Sequence, residues 1–397
     1  AVGSTTILVT LFTGFLIGMG SGVNVQVALG LGAKDDKTVE KTIHTAFLIC
    51  AAIGIMIGVF CILFAHPMLQ ALHTKSDLID AAVLYLKIYA LGMPAMAVYN
   101  FGNGVLSAKG DTKSPLIYLA VAGVLNIILN LIFVIGFHLA AAGVAIASAI
   151  AQYVSMLLVM RNLLKRRDVC RLQISKIQFH QDVAKGILLM GIPTGMQNAI
   201  FALANLFVQR GVNYFYTIMV SGNAAATNAD AIIFNVMSAF YTGCASFVSQ
   251  NRGAGNRERM KKSYLVALTY SFLIGLFLGA CLFFGGRYFL RAFATDRAVI
   301  DAGMERIKIM AFAYSISAFM DCTIAASRGL GKSIGPMIIV MLGSCVFRII
   351  WVYTIFANFH TIPSLYLLYP FSWTLTAIAE IAYFIVQFRK VMPKSRI

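Results

Sequence analysis

"LGAKDDKTVEK" at 31–41 and "RGAGNRERMKK" at 252–262 lie 221 residues apart, each a polar turn between long apolar runs. Reading them as one turn written twice decides the fold, because the same separation holds far beyond the turn. It places Gly22 opposite Gly243, Val27 opposite Val248, Gly32 opposite Gly253 and Lys41 opposite Lys262. Further on it pairs Lys87 with Lys308, Gly110 with Gly331 and Pro115 with Pro336. After Pro115 the register slips, and Asn126 falls opposite Phe347 or, with one insertion, Arg348. Small residues and loop lysines match easily by chance, but chance does not keep apolar runs and polar turns in step over so long a stretch.

The apolar runs are membrane spans. Of the 397 residues 59% are hydrophobic and only 12% charged, about half the charge of an ordinary soluble domain, and the mean hydropathy is +0.82. Runs near 20 residues, the length that crosses a hydrocarbon core as a helix, occur at 5–29, 43–65, 81–106, 116–137, 139–160, 186–217, 229–249, 264–284, 303–326, 337–358 and 363–388. The chain is therefore expected to be an all-α polytopic membrane protein of eleven visible spans. Five spans separate 5–29 from 229–249, so both cross in the same direction and the halves are parallel repeats. In such repeats substrate sites tend to lie between the halves near the bilayer midplane. The divisions read from this are an N-terminal lobe at 1–160, a linker at 161–185 and a C-terminal lobe at 186–397. Moving 186–217 back by one repeat lands ahead of Ala1, so a twelfth helix, the first of the complete pattern, is expected before this sequence.

Net charge is +17, from 32 Lys and Arg against 15 Asp and Glu, which in a soluble chain would suggest nucleic acid. Its distribution points elsewhere. Alternate connections hold 23 of the basic residues and the intervening ones four, which is the positive-inside pattern. The basic loops and the C-terminus are accordingly expected in the cytoplasm, the chain in the cell membrane among its lipids, and no nucleic-acid partner. The seven cysteines form no CxxC pair and the six histidines no HExxH pattern; His66 and His73 merely share a short connection. No metal, cofactor or clustered catalytic set is expected, so the chain does not read as an enzyme. No Walker A sequence is present to draw on ATP.

"GNGVLSAKGDTKSP" (102–115), "NIILN" (126–130), "AAGVAIASAIAQY" (141–153) and "SQNRGAGNRER" (249–259), in this order, resemble the multidrug and toxic compound extrusion (MATE) family. The resemblance covers essentially the whole chain, although no single motif is diagnostic. It implies two helical lobes that rock between inward- and outward-open states and expel amphipathic, often cationic, compounds in exchange for protons or sodium, with the protein acting as a monomer. An archaeal branch of the family carries an N-x-x-x-D pair on its fifth helix and a hydroxyl on its sixth. The matching residues here are Asn126, Asn130 and Ser148. Asn130 stands where the acid would be and does not titrate, so these three either line a ligand or satisfy one another between packed helices. Another branch has a glutamate on its seventh helix; here that helix offers Gln197, Asn198, Asn205 and Gln209, with a bend expected at Pro193. These amides either line the cavity or form a hydrogen-bonded helix seam. A lipid-linked oligosaccharide flippase of the same superfamily is the alternative function. The sparse mid-membrane basic residues argue against it.

Ionisable residues at membrane depth are costly and are functional candidates by default. Asp321 lies on the tenth helix about one turn from the family's tenth-helix acid, Arg348 is mid-span on the eleventh, and Glu380 is within the twelfth. Either Arg348 pairs structurally with Glu380 or Asp321, or one of these acids binds the coupling cation; the expectation is that Asp321 contributes to coupling. Lys87 and Lys308 are read as snorkelling to the headgroups. The 161–185 segment, basic and apolar together, is expected to form in part an amphipathic helix on anionic lipid.

Overall fold

The structure, a computed structural model, describes residues 2–72 and 74–391, with side chains from Thr5 onward. His73, Lys394 and Arg396 lie outside this range. The elements are α1 (Val2–Ala33), α2 (Asp36–Ala71), α3 (Ser76–Ala90), α4 (Met93–Ala108), α5 (Lys113–Asn130) and α6 (Ala140–Lys165). There follow α7 (Gln181–Val212), α8 (Thr217–Gly253), α9 (Arg257–Leu290), α10 (Arg297–Gly329), α11 (Ile334–Phe359) and α12 (Ile362–Val391). No strand occurs among the described residues. Ten helices are long and apolar enough to span a membrane, and α3 with α4 makes an eleventh span bent by 43°. The bend falls at Leu91–Gly92, where Pro94 at the start of α4 cannot donate a helical hydrogen bond. Large apolar side chains such as Leu63, Phe284 and Leu116 are 69%, 81% and 66% exposed, which suits lipid and not water.

The chain divides into two compact units, Ala1–Ala199 and Ile200–Ile397, with the division inside α7. Their helix starts repeat: Asp36 and Arg257, Ser76 and Arg297, Lys113 and Ile334 are each 221 residues apart. Past Pro115 α5 and α11 both contain π-helical turns, at Leu131–Gly136 in the first and at Met341–Val346 and Val352–Phe356 in the second.

Backbone geometry explains why the opening turn recurs. After α1, Lys34 takes a left-handed φ of 54°, Asp35 N–H reaches back to Gly30 O at 3.1 Å, and the Asp35 carboxylate caps α2 by accepting from Thr38 N–H at 3.1 Å. After α8, Gly255 has φ 67°, Asn256 N–H bonds Asn251 O at 2.9 Å, and Asn256 Oδ1 accepts from Arg259 N–H at 2.9 Å. A left-handed residue followed by an Asp or Asn cap satisfies the orphan groups of one helix end and the next helix start. A second shared stop uses Gly110 (φ 93°) and Gly331 (φ 73°), followed by bonds from Asp111 N–H to Leu106 O and from Lys332 N–H to Ser327 O.

Within the first unit the early part of α7 crosses α1 through small residues. Gly18 meets the backbone of Gly195, a Cβ on Gly22 would lie 2.6 Å from Gly191 N, and Asn198 Nδ2 donates to Gly14 O at 2.9 Å.

The linker departs from expectation. Residues 161–165 and 181–185 extend α6 and α7, and between them only Ile174–Lys176 forms a single 3₁₀ turn, so no amphipathic helix lies there. The reason is that its apolar residues have a better partner than lipid: Cys170 and Leu172 are buried in the first unit's core beside Val39 and Ile43. Polar ties complete the docking. His44 Nε2 accepts from Gln173 N–H at 3.1 Å, Thr45 Oγ1 accepts from His180 N–H at 3.0 Å, and Lys176 pairs with Glu40 at 2.8 Å. At the start of the linker Asp168 binds Lys109 and, at 3.1 Å, Arg166, which also reaches Asp111 at 3.3 Å.

Candidate functional site

In the second unit two groups of ionisable residues lie within the spans. The first, on α10, α11 and α12, contains Asp321, Arg328, Arg348 and Glu380. Arg348 is 2% exposed and donates from Nε to Ser372 Oγ (3.4 Å) and from Nη1 to Asn205 Oδ1 (3.2 Å). Its guanidinium lies 4.7 Å from the Tyr369 ring centre and 5.6 Å from that of Phe201, a cation–π setting on both rings. Glu380 is fully buried, and neither carboxyl oxygen has a hydrogen-bond partner among the described residues.

The structural pair of Arg348 with Glu380 or Asp321 is not formed: no ion pair within 4 Å joins them among the described residues, and Arg348 satisfies its hydrogen bonds with neutral acceptors. The charge shared by the two acids is Arg328, the common electrostatic neighbour of Asp321 and Glu380, with Arg348 a second neighbour of Asp321 alone. Sequence reasoning had put Arg328 in the 327–333 loop. Because α10 runs on to Gly329, Arg328 instead occupies its last helical turn.

The second group was missed altogether. Asp230 on α8 accepts from Arg306 and from the Tyr314 hydroxyl, both on α10. Arg306 is 3% exposed and its guanidinium lies 5.5 Å from the ring centre of Tyr366, whose hydroxyl donates to Asn223 Oδ1 at 2.8 Å. Asp230 and Arg306 sat at the edges of the apolar runs beginning at 229 and 303, where a charge reads as a span end. The helices start earlier, at Thr217 and Arg297, so both residues lie well inside them. Alanines in the polar stretch "SGNAAATNAD" (221–230) were the available signal that the helix continues.

The amides divide between the units. Asn130 Nδ2 donates to Asn126 Oδ1 (3.1 Å) and Asn126 Nδ2 to Ser148 Oγ (3.4 Å), which brings together the three residues matched to the family's fifth and sixth helices. Gln197 is buried and Asn198 bonds the α1 backbone, both in the first unit; Asn205 serves Arg348, and Gln209 Nε2 donates to Asn213 Oδ1 at 2.9 Å. Lys87 and Lys308 are both exposed. The described residues contain no group of three or more His, Cys, Asp or Glu side chains able to hold a metal.

Comparison with known proteins agrees with this frame. The family model described as MatE matches residues 1–132 and 193–354. A probable multidrug resistance protein, YpnP of Bacillus subtilis, is 27% identical over 314 residues, covering 79% of this chain and 70% of its own. An FAD transporter of Shewanella oneidensis is 22% identical over 326 residues, with 79% and 70% covered. Among solved structures, the outward-facing conformation of a multidrug resistance MATE family transporter superposes with a TM-score of 0.90 at 18% identity, over 98% of this chain and 88% of that one. At that identity the likeness shows the fold.

Proposed function

Because the chain belongs to the MATE family, we infer that it is a secondary-active exporter, exchanging amphipathic or cationic organic compounds for protons or sodium by alternating access of an N-terminal lobe (1–160) and a C-terminal lobe (186–397). Its basic loops and C-terminus lie in the cytoplasm and the chain in the cell membrane, a reading supported by the charge bias of alternate connections.

The observation that carries the coupling is Glu380. An ionised carboxylate with no exposure and no hydrogen-bond donor costs several kcal/mol. A proton or a bound cation removes that cost. Arg328 neighbours both acids electrostatically, and Arg348 neighbours Asp321 as well. Glu380 is therefore the leading seat for the coupling ion, and Asp321 sets its charge balance through Arg328. Loading and unloading of this seat changes the net charge inside the second unit, which is the kind of change that biases a two-state helix bundle.

The test is dye efflux from vesicles containing the reconstituted protein, under an imposed proton gradient and, separately, a sodium gradient. One gradient should drive efflux in the wild type. Glu380→Gln should cut that efflux at least about tenfold while the protein inserts normally, and Asp321→Asn should abolish it or shift its pH dependence. Undiminished gradient-driven efflux by Glu380→Gln rejects this seat. No efflux by the wild type under either gradient rejects the exporter.

A further inference from the structure

A different part of the molecule carries a ligand site unconnected with the charges of the second unit. At the end of the α5–α6 hairpin nearest the linker, a pocket of about 440 Å³ is lined by Tyr118 on α5 and by Leu158, Arg161, Asn162, Lys165, Arg166 and Asp168. Its volume falls within the roughly 300–1,000 Å³ typical of small-molecule sites.

The charges around it are not equivalent. Arg166 is held by Asp168 and Asp111, and Lys109 by Asp168, so the two acids at this end are already matched by two cations. Arg161 and Lys165 have no carboxylate within 4 Å among the described residues, and both are exposed. Four residues apart on α6, they share one helix face. A third donor faces the same space: Asn162 Nδ2 donates to the Tyr118 oxygen at 2.7 Å, which leaves the Tyr118 hydroxyl proton for another acceptor. The pocket is thus a cluster of donors and positive charge with nothing of opposite sign left over. It calls for a phosphate or similar oxyanion.

What lies beside the pocket identifies the source of that phosphate. Leu116 and Leu119 on α5 and Leu157 on α6 are 66%, 53% and 60% exposed, and only Pro115 and Ala122 of α5 are buried. Both helices qualify as membrane spans, so this apolar flank faces acyl chains. A free phosphate has no use for it, whereas a phospholipid places its phosphate at the helix ends and its chains along such a flank. We propose that Arg161, Lys165 and the Tyr118 hydroxyl form a binding site for the phosphate diester of an anionic phospholipid, whose acyl chains lie along the α5–α6 hairpin.

The site is tested on the full-length chain in detergent by native mass spectrometry, titrating phosphatidylglycerol, phosphatidylcholine and, separately, inorganic phosphate. Two interfacial cations support a preference of about thirtyfold, so the wild type should retain phosphatidylglycerol about that much more tightly than Arg161→Ala/Lys165→Ala does. The charge-preserving Arg161→Lys/Lys165→Arg should keep most of the affinity, and Tyr118→Phe should lose several-fold. Unchanged melting temperatures show that the substitutions at exposed Arg161 and Lys165 and at partly buried Tyr118 leave the fold intact. Equal retention by the wild type and the double alanine variant overturns the site. Inorganic phosphate displacing the lipid at comparable concentration overturns the lipid assignment, as does equal binding of phosphatidylcholine.

Discussion

Residues 1–199 and 200–397 share three helix starts and two turns at one separation, yet their interiors differ in charge. Where the second unit has Asp230, Arg306, Asp321 and Arg328, the first has Val9, Tyr85, Asn100 and Ser107 at a separation of 221. The turns have kept their chemistry because backbone groups at every helix end need partners, whatever the protein does. The interior is under no such constraint. At these places one copy has charged groups and the other an aliphatic, a phenol, an amide and a hydroxyl, of which Asn100 donates to Met96 O of its own helix. A duplicated scaffold therefore keeps its turns alike while its interiors diverge in charge.

The comparison can be tested at three levels. The largest effect is expected at Arg306. Arg306→Met leaves Asp230 without its counter-charge and should cost about 3 kcal/mol, the low end of the range for broken buried pairs because Asp230 is 30% exposed. Adding Asp230→Asn should recover most of that, and Tyr85→Phe at the matching place in the first unit should cost under about 1 kcal/mol. Thermal unfolding in detergent measures all three, and a Tyr85 effect equal to that of Arg306 would remove the contrast.

The shared stops should behave alike, with one difference. Gly110→Ala and Gly331→Ala each force a side chain into a left-handed conformation and should lose about 1–2 kcal/mol. A Cβ on Gly110 meets open space, whereas one on Gly331 displaces the Arg252 guanidinium, so the second loss should be the larger by melting temperature.

The smallest effect concerns acid. Burial pushes the Asp168 and Asp111 carboxyls up, but hydrogen bonds from Lys109 and Arg166 to Asp168, and from Ser114 and Arg166 to Asp111, outweigh it and hold both below the ordinary 3.8. A depressed carboxyl stabilises the fold at pH values above its ordinary one, and the contribution disappears as pH falls through the folded value. The linker tie should thus be unchanged from about pH 7 to pH 5 and weaken only below about pH 4, by under about 1 kcal/mol for such partly exposed groups. Hydrogen exchange across 166–180 reports it. The matching turn of the second unit has Lys332 where Asp111 stands and should show no such acid step.

Hydropathy and the repeat made the spans, their number and both shared turns legible, because a bilayer imposes the first and helix ends the second. Helix lengths were not legible in the same way. An apolar run reports only the lipid-facing stretch, while α2, α8 and α10 continue beyond it at both ends, and this is why Arg328 fell in a loop and Asp230 and Arg306, near the ends of their runs, were not singled out. Asn126 and Asn130, four residues apart, share a helix face by spacing, and the family resemblance set Ser148 with them. The partners of Arg348 were not legible, since a neutral cradle of Asn205, Ser372, Phe201 and Tyr369 draws on two helices, α7 and α12, far apart in sequence.

The seating of residues 170–180 on the first unit has a mechanical consequence. A free chain of that length would be a slack rope that absorbs displacement at almost no energetic cost. Buttoned down at Leu172, Gln173 and His180, immediately before α7 begins at Gln181, it has nothing left to pay out. Flexing downstream must be taken up by α7 itself, and its weakest rung is Pro193, which lacks the amide proton that would brace the turn before it.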